Sequence, residues 1–522
     1  MKWQFWVDRG GTFTDIIGQA DSGEVQVKKL LSENPECYED AAIEGIRQIL
    51  GCQPKDILPV DQIAQVRMGT TIATNALLER KGDRVGLLIT QGCHDLLRIA
   101  YQNRPDLFAL NIVLPEMLYE CVQEVTERLS VKGEVLQALD LDQAKEALTR
   151  IYDQGIRSVA IVLLHSYRYP EHEQQLKVMA ESMGFEDVSI SSEVSPLMKA
   201  VSRGDTTVLD SYLSPMLNRY VNFLRKAFKD TPLYFMKSSG GLVDARYFRA
   251  KHSILSGPAG GVVGAVQTSL AIGYKGVIGF DMGGTSTDVS HYHDHYEYDY
   301  ETEVSGVRLR LPMLAIHTIA AGGGSIVQYK NSRFQAGPES AGAVPGPRCY
   351  RRGGPLTITD CNVLLGKIQA HYFPSMFGKE ANEPLDVDAV KQAFEVLRDD
   401  LQTDSQHELS CEEVAEGFVK VAVNNMANAI KKISIQKGHD ISDYVLCCFG
   451  GAGGQHACSI ARELGISKIF IHRFAGILSA YGMGLADIVV EIQEPSVLVL
   501  TEISQDKSLK ILLNKLVMGL SL

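Results

Sequence analysis

The sequence predicts an α/β protein built from a duplicated fold. One phrase, Asp8-Arg9-Gly10-Gly11-Thr12-Phe13-Thr14-Asp15, returns as Asp281-Met282-Gly283-Gly284-Thr285-Ser286-Thr287-Asp288, with six of the eight positions identical. Each copy follows a short apolar run, Phe5-Trp6-Val7 or Val277-Ile278-Gly279-Phe280, and leads into another, Ile16-Ile17 or Val289. That pattern reads as strand, glycine turn, strand. Each copy also opens a long stretch in which buried-type strands alternate with amphipathic helices.

The chemistry of the phrase follows from its residues. Paired glycines let the backbone bend and bring its N–H groups close to an anion. The hydroxyls of Thr12, Thr14, Thr285 and Thr287 add donors. Asp8 and Asp281, each at the end of a strand, can hold Mg²⁺ through water or polarise a nucleophile. A single copy could be a plain glycine hairpin. Two copies imply two phosphate-gripping hairpins facing one another across a cleft.

Bulk properties narrow the class. A chain of 522 residues suggests two or three domains. Its composition, 45% hydrophobic and 22% charged, is that of an ordinary globular protein. The net charge of −12 argues against nucleic acid as a main partner, while leaving room for a local basic pocket. The ten cysteines form no C-x-x-C pair and are expected to be reduced. No apolar run approaches the ~18 residues of a membrane helix, and the N-terminus enters a strand at once, so the expected location is cytoplasmic.

The elements follow in order. Residues 3–20 form the first hairpin and 24–31 a third strand. Residues 38–50 form an amphipathic helix stopped by Gly51. Val66 to Thr71 reads as a strand ending in Gly-Thr-Thr, with a helix from Ile72. Thr70, Thr71 and Asn75 cluster at that helix start, suited to an anionic or carbonyl ligand or simply to capping. Strands are expected over 84–90, near 122–129, over 159–164 and over 187–191. Helices are expected after Asp140, with Gln143 at the capping-box position, and over 171–183. His165 at a strand end reads as structural.

A long helix runs from Ser202–Asp205 to about 228, bent near Pro215. Strand 233–237 enters the turn Ser238-Ser239-Gly240-Gly241, and Pro258 sits where it can open a helix. His291, His293 and His295 alternate along a strand, which is metal-ligand spacing, though a solvated hairpin end fits better. Residues 337–355 read as a long loop. A helix starts at Ser410 and reaches about 436. Strand 444–449 then runs into Gly450-Gly451-Ala452-Gly453-Gly454, a nucleotide-type turn without the lysine of a P-loop, before helix 455–464.

Two Asp-Gly-Gly-Thr hairpins and a late Gly-Gly-x-Gly-Gly turn resemble the superfamily of acetate and sugar kinases, Hsp70 and actin. More narrowly, the first hairpin, Gly69-Thr70-Thr71 with Thr74-Asn75, Ser256-Gly257-Pro258-Ala259-Gly260-Gly261, Ala321-Gly322-Gly323-Gly324-Ser325 and Gly337-Pro338-Glu339-Ser340-Ala341-Gly342 resemble the hydantoinase/oxoprolinase A-type family, closest to its ATP-dependent 5-oxoprolinases. The resemblance covers about residues 3–492.

It implies duplicated actin-like ATPase (ribonuclease H-like) domains around an ATP cleft. The regions would be an N-terminal α/β domain over 1–201, a hydantoinase A domain over 202–492 and a short tail over 493–522. The implied activity is ATP-dependent hydrolysis of a cyclic amide, 5-oxo-L-proline to L-glutamate, with ADP and phosphate released. ATP phosphorylates the amide oxygen, and water then opens the ring.

The resemblance also implies roles for residues. Gly10, Gly11, Thr12 and Thr14 would cradle one set of phosphate oxygens, and Gly283, Gly284, Thr285 and Thr287 the other. Asp8 and Asp281 would sit near Mg²⁺, with Asp281 or Asp15 a candidate to orient the nucleophile, and Gly450, Gly451, Gly453 and Gly454 would line the adenosine. Arg9 would neutralise the transferring phosphate or hold the substrate carboxylate. Thr70, Thr71 and Asn75 would touch the substrate.

Single-chain oxoprolinases are more than twice this length and carry a B-type half that takes part in ring opening. Here the family-like sequence fades after Glu491, leaving a tail with one amphipathic stretch between Ser504 and Leu522. The expected partner is therefore a hydantoinase B-type subunit or a missing C-terminal half, within an oligomer. Two alternatives stay open. One is the ATP-using subunit of a hydantoinase or ketone carboxylase. The other is an ATP-binding fragment inactive without its B-type partner.

Overall fold

The computed structural model describes residues 1–53, 56–104, 106–404 and 409–493. The amphipathic stretch expected between Ser504 and Leu522 lies outside them. The chain folds into two compact units. The first comprises Met1–Gly257, Tyr298–Met313 and the segment from Ala486, and the second Pro258–Glu297 with Leu314–Leu485.

The first unit is built on a six-stranded sheet. Strand Trp3–Arg9 pairs antiparallel with Phe13–Ala20, from Trp3 opposite Ala20 to Arg9 opposite Thr14. Phe13–Ala20 pairs in turn with Val25–Leu31. On its other side Trp3–Arg9 runs parallel to Ile63–Thr70, which runs parallel to Leu233–Met236, and Leu242–Asp244 closes the edge. Phe5, Val7, Ile16 and Met68 are fully buried against helix Ala41–Ile49 and helix Ala200–Phe228. The first helix starts at Asp40, whose Oδ1 accepts from the Ile43 N–H at 3.0 Å.

Helix Ala200–Phe228 passes through Pro215 unbroken and buries Val208, Leu209, Leu213, Leu217 and Leu224 in this core. The division at 201/202 drawn from the sequence therefore does not coincide with a boundary between compact units, because that helix supplies much of the first unit's interior. A second sheet in the same unit has four parallel strands, ordered Asp187–Ile190, Ser158–Val162, Val85–Thr90, Cys121–Val125. Helices Leu141–Asp153 and Glu171–Met183 contribute Leu148, Ile151 and Leu176 to its core. Asp140 caps the first of these, but Gln143 does not close a capping box. Its side chain bonds Thr126 N–H and the Glu124 carbonyl instead, tying helix to strand.

The second unit repeats the strand order of the first sheet. Gly276–Met282 pairs antiparallel with Thr287–His293, which pairs antiparallel with Ile316–Ile319. On the other side it runs parallel to Val445–Phe449, itself parallel to Lys468–Phe470. Helix Cys411–Ile433 crosses this sheet with Val414, Phe418, Met426 and Ile430 buried, and Ser410 with Glu413 closes a capping box at its start. Part of the expected 337–355 loop is strand: Arg333–Ser340 pairs with Ser325–Lys330. All ten cysteines are free thiols, and among the described residues no helix is long and apolar enough to cross a membrane.

Candidate functional site

The first hairpin meets residues from two other stretches, 69–75 and 256–257. Its tip, Gly11 and Thr12, is exposed, and Gly10 N–H donates to the Phe13 carbonyl at 3.0 Å. A Cβ at Gly10 would lie 2.8 Å from that carbonyl oxygen, so the turn requires glycine there. The Thr71 N–H and hydroxyl both donate to the Arg9 carbonyl, at 3.0 and 3.1 Å. Asn75 donates to the Thr71 hydroxyl at 3.4 Å, and its amide lies beside Gly11. Ser256 binds the Thr70 carbonyl at 3.0 Å. Parallel pairing that sets Asp8 opposite Gly69 brings the two sequence motifs to one sheet edge.

Asp8 is the unusual group there. Its Oδ1 is shielded from solvent and has no hydrogen-bond partner, and the missing side chain of Gly257 leaves space beside it. Burial, reinforced by Asp15 across the hairpin, pushes the Asp8 carboxyl up to about 7, with Lys29 pulling the other way. Asp15 is raised by burial but held by an ion pair with Lys29 at 2.6 Å. An orphaned carboxylate oxygen of this kind fits a divalent cation, which would relieve its desolvation.

Arg9 has neighbours of its own. Its Nε lies 3.7 Å from Asp40 Oδ2, and its guanidinium stands 5.2 Å from the Tyr220 ring centre. Tyr220 donates to the same Asp40 oxygen at 3.2 Å. The Nε side of the guanidinium is thus held against Asp40 at the helix cap.

The second hairpin is braced within its own unit. Gly323 and Gly324 donate their N–H groups to the Gly283 and Gly284 carbonyls at 3.1 and 2.7 Å. The Asp288 carboxyl, raised by burial, accepts from the Thr318 hydroxyl at 2.6 Å where Asp15 has Lys29. The glycine turn after Val445–Phe449 packs on this hairpin: Ala452 N–H donates to the Met282 carbonyl at 2.9 Å. Gly450 has φ +82°, and any Cβ there would collide with the Asp281 carboxylate and the Met282 carbonyl. Gly451 and Gly454 face open space. Below the turn, His456 is fully buried, bonded to Asn362 at 3.1 Å, and driven down to about 4 by burial.

Thr14 and Thr287 do not offer the donors expected of them. Both are fully buried. Thr14 shares a hydrogen bond with Ser32 at 3.0 Å, and Thr287 donates to the Ala321 carbonyl at 2.5 Å. Inward-facing alternation on each second strand turns these hydroxyls into the fold. Thr12 and Thr285, two residues earlier, remain exposed at the tips. The Thr70 hydroxyl accepts from Ile72 N–H at 3.2 Å, so it serves the helix start.

The three alternating histidines do not converge as a ligand set, although His291 and His293 both stack on the Tyr444 ring. Asp294, at φ +61°, turns the strand, and His293 pairs opposite His295. His291 is buried instead with Glu297, at 2.6 Å, and stacks on His439 with ring centres 4.2 Å apart. Lys437 holds Glu297 at 2.7 Å, closing the group as an ion-pair network. Sequence reasoning missed Lys29, Asp40 and Ser256 as neighbours of the first hairpin. Only Lys29 carried a signal: strand register places it opposite Asp15.

Comparisons with known proteins agree with this organisation. The Hydantoinase/oxoprolinase family profile matches residues 203–492, and that of the Hydantoinase/oxoprolinase N-terminal region matches residues 4–184. The protein called 5-oxoprolinase 1 in Arabidopsis thaliana is 46% identical over 531 residues, covering 95% of this chain and 42% of the plant protein. The chain thus spans less than half the length of that relative. The crystal structure of an ATP-dependent caprolactamase from Pseudomonas jessenii superposes with a TM-score of 0.80 at 30% identity, covering 93% of this chain and 71% of that one. Nucleotide-free acetone carboxylase gives 0.72 at 25% identity, covering 93% and 70%.

Proposed function

Because the chain belongs to the hydantoinase/oxoprolinase family, we propose that it carries out the ATP-dependent activation of a cyclic amide, with 5-oxo-L-proline as substrate and L-glutamate, ADP and phosphate as the final products. The observation that carries this reading is the convergence of Asp8, the open Gly11-Thr12 tip, Thr71 and Asn75 at one sheet edge. It sits in a chain 46% identical to a plant protein named 5-oxoprolinase.

An unactivated lactam resists water because amide resonance lowers its electrophilicity. ATP, when bound, supplies a phosphoryl group to the amide oxygen, which opens the ring carbon to attack. The residues then act mainly by positioning and by charge stabilisation. Gly10, Gly11 and Thr12 in the first unit offer N–H and hydroxyl donors to phosphate oxygens, as do Gly283, Gly284 and Thr285 in the second. Asp8 and Asp281 would hold Mg²⁺ through water, and the orphaned Asp8 oxygen supports that assignment. Asp15, held by Lys29, keeps negative charge beside Asp8. Gly450, Gly451, Gly453 and Gly454 would line the adenosine, a role supported by the open space at Gly451 and Gly454. Thr71 and Asn75 are the donors best placed for the ring substrate, with Thr70 behind them.

On this reading each unit carries one copy of a ribonuclease H-like ATPase fold, which the shared strand order supports. The N-terminal domain would run over 1–201 and the hydantoinase A domain over 202–492. A B-type subunit, or the remainder of a longer chain, would supply ring opening, in keeping with the 42% of the plant relative that this chain spans. A related reading, an ATP-using subunit of a hydantoinase or ketone carboxylase, draws on the similarity to acetone carboxylase.

The test is to incubate the purified chain with Mg-ATP and 5-oxo-L-proline and to measure ADP and glutamate separately. ADP release that depends on 5-oxoproline, without glutamate, is the expected result. Glutamate formation would remove the need for a partner. ADP release with hydantoin, or with acetone and bicarbonate, in place of 5-oxoproline would favour the second reading. Asp281→Ala should abolish turnover while leaving the fold intact.

A further inference from the structure

A second polar pocket lies along the carboxyl edge of the first unit's large sheet. Strand Leu233–Met236 runs parallel to Ile63–Thr70, and Lys237 follows it immediately. The cavity there has a volume of about 530 Å³ and is bordered by Lys237, Ser239, Lys251, His252, Arg310 and Glu491. Ends of parallel strands are where α/β sheets bind ligands.

The charges in this pocket are unevenly matched. Lys237 is only 3% exposed, and its ammonium lies 3.1 Å from Glu491 Oε1. The Ser239 hydroxyl donates to the same oxygen at 2.5 Å. The Lys251 ammonium meets the Val194 carbonyl and makes no ion pair among the described residues. His252 has a buried Nδ1 with no partner, and burial together with Lys251, Lys237 and Arg249 keeps its ring neutral. Glu193, also on the wall, is committed to Lys177 at 2.8 Å and Arg249 at 3.1 Å, and Arg310 is paired with Glu301 at 3.4 Å. Glu491 is thus the one carboxylate in contact with Lys237, while the half-buried Lys251 ammonium feels Asp210, Glu491 and Glu193 without an ion pair to any of them among the described residues.

The Glu491 carboxylate arrives on a tethered segment. Leu242 N–H donates to the Asp487 carbonyl at 2.8 Å, and Val489 N–H to the Leu242 carbonyl at 3.0 Å. A Cβ at Gly241 would lie 2.6 Å from Val489 Cβ, so the glycine lets the segment dock. Glu491 stands two residues beyond the last of these bonds and dips into the pocket.

We propose that the pocket formed by Lys237, Ser239, Lys251 and His252 is a binding site for a small free carboxylate, occupied in this structure by the Glu491 side chain, which such a ligand displaces. The ligand class rests on the proposed function: 5-oxoproline carries one carboxylate and glutamate two. Lys237 and Ser239 bind the carboxylate in the place Glu491 now takes. Lys251 supplies the second positive charge, and His252 a further ring nitrogen.

The test is calorimetric titration of the full chain with 5-oxo-L-proline, L-glutamate, acetate and pyrrolidin-2-one, the last a lactam without a carboxylate. Removing an intramolecular competitor raises apparent affinity by its effective concentration over its own dissociation constant, so Glu491→Gln should bind a carboxylate on the order of tenfold more tightly than the parent chain. Lys237→Met and Ser239→Ala, each in the Glu491→Gln background, should weaken it, and Ser239→Ala serves if the buried lysine cannot be replaced without unfolding. Which of 5-oxoproline and glutamate binds more tightly assigns the site to substrate or product.

Equal affinity of the parent chain and Glu491→Gln for every carboxylate overturns the proposal. So does binding of pyrrolidin-2-one as tight as that of 5-oxoproline. The outcomes separate from those for the activity. Carboxylate binding that depends on Glu491 and Ser239, without any lactam-dependent ADP release, upholds the pocket and refutes the proposed reaction. Lactam-dependent ADP release, with carboxylate binding that is the same in the parent chain, Glu491→Gln and Ser239→Ala, refutes the pocket and leaves the reaction standing.

Discussion

Replacing Asp8 by Asn should make the first unit more stable, and increasingly so as pH rises. In the folded chain the Asp8 carboxyl is raised from 3.8 to about 7. Between those values the folded state holds a proton that the unfolded state has released, so wild-type stability declines as pH climbs through this window. Below it both states are protonated and the term vanishes. At about 1.4 kcal/mol per pH unit, the full penalty approaches ~4 kcal/mol above pH 7, of which ~2–3 kcal/mol accrues between pH 5 and 8. Asn keeps the shape and cannot ionise.

The assay is urea unfolding followed by tryptophan fluorescence. Both tryptophans of the chain, Trp3 and Trp6, lie on the strand that carries Asp8, so the signal reports this unit. The gap between variant and wild type should widen by that amount from pH 5 to pH 8, and millimolar Mg²⁺ should narrow it at pH 8 by favouring the ionised carboxylate. A gap that stays constant across this range would refute the claim that buried charge at Asp8 is strained. The same variant should lose ATP turnover, which separates a stabilising change from a harmless one.

Three further outcomes can be checked. Gly450→Ala forces a side chain into the Asp281 carboxylate at a backbone angle of φ +82°, so nucleotide-dependent thermal stabilisation should disappear, with a stability loss on the order of 1–3 kcal/mol. Asp40→Ala removes both the helix cap and the partner of Arg9, and urea unfolding should show a loss of about 3–5 kcal/mol, more than the ~1 kcal/mol of a cap alone. His456, lowered to about 4, contributes stability that is complete above its ordinary value of 6.5 and falls as pH drops toward 4, by up to ~3 kcal/mol. Hydrogen exchange in helix Ala457–Leu464 should accelerate across that window in wild type and less so in His456→Gln; identical acid sensitivity would place the titrating group elsewhere.

Much of the fold was legible because its elements obey local rules. Strands Trp3–Arg9 and Gly276–Met282, the start of helix 72–78 and the capping box at Ser410 were all readable from alternation, glycine turns and cap residues. The candidate site was legible as motifs but not as neighbours. Nothing local places Asn75 beside Gly11, a contact that follows from parallel pairing between distant strands, or Ser256, at the start of helix Ser256–Ala271, beside Thr70. Side-chain commitments were the least visible. No local pattern set Asp40 and Tyr220 beside Arg9, and Thr14 and Thr287 looked like donors until the pleat turned them inward. The His291 group shows the same limit, because its partners, Glu297 and His439, both lie outside the alternating stretch.

The order in which the chain visits its two units has a bearing on synthesis. The second unit is complete once residue 485 has been made, whereas the first still lacks the segment that bonds to Leu242. Strand Leu242–Asp244 must wait for Asp487 and Val489, more than two hundred residues later, to gain its last neighbour. Arg308, which binds Asp205 at 2.7 Å, is likewise a late arrival. A nascent chain therefore carries an open edge on its amino-terminal portion through most of translation, the kind of long-range closure that is slow and exposed to mispairing. The unit that begins first finishes last.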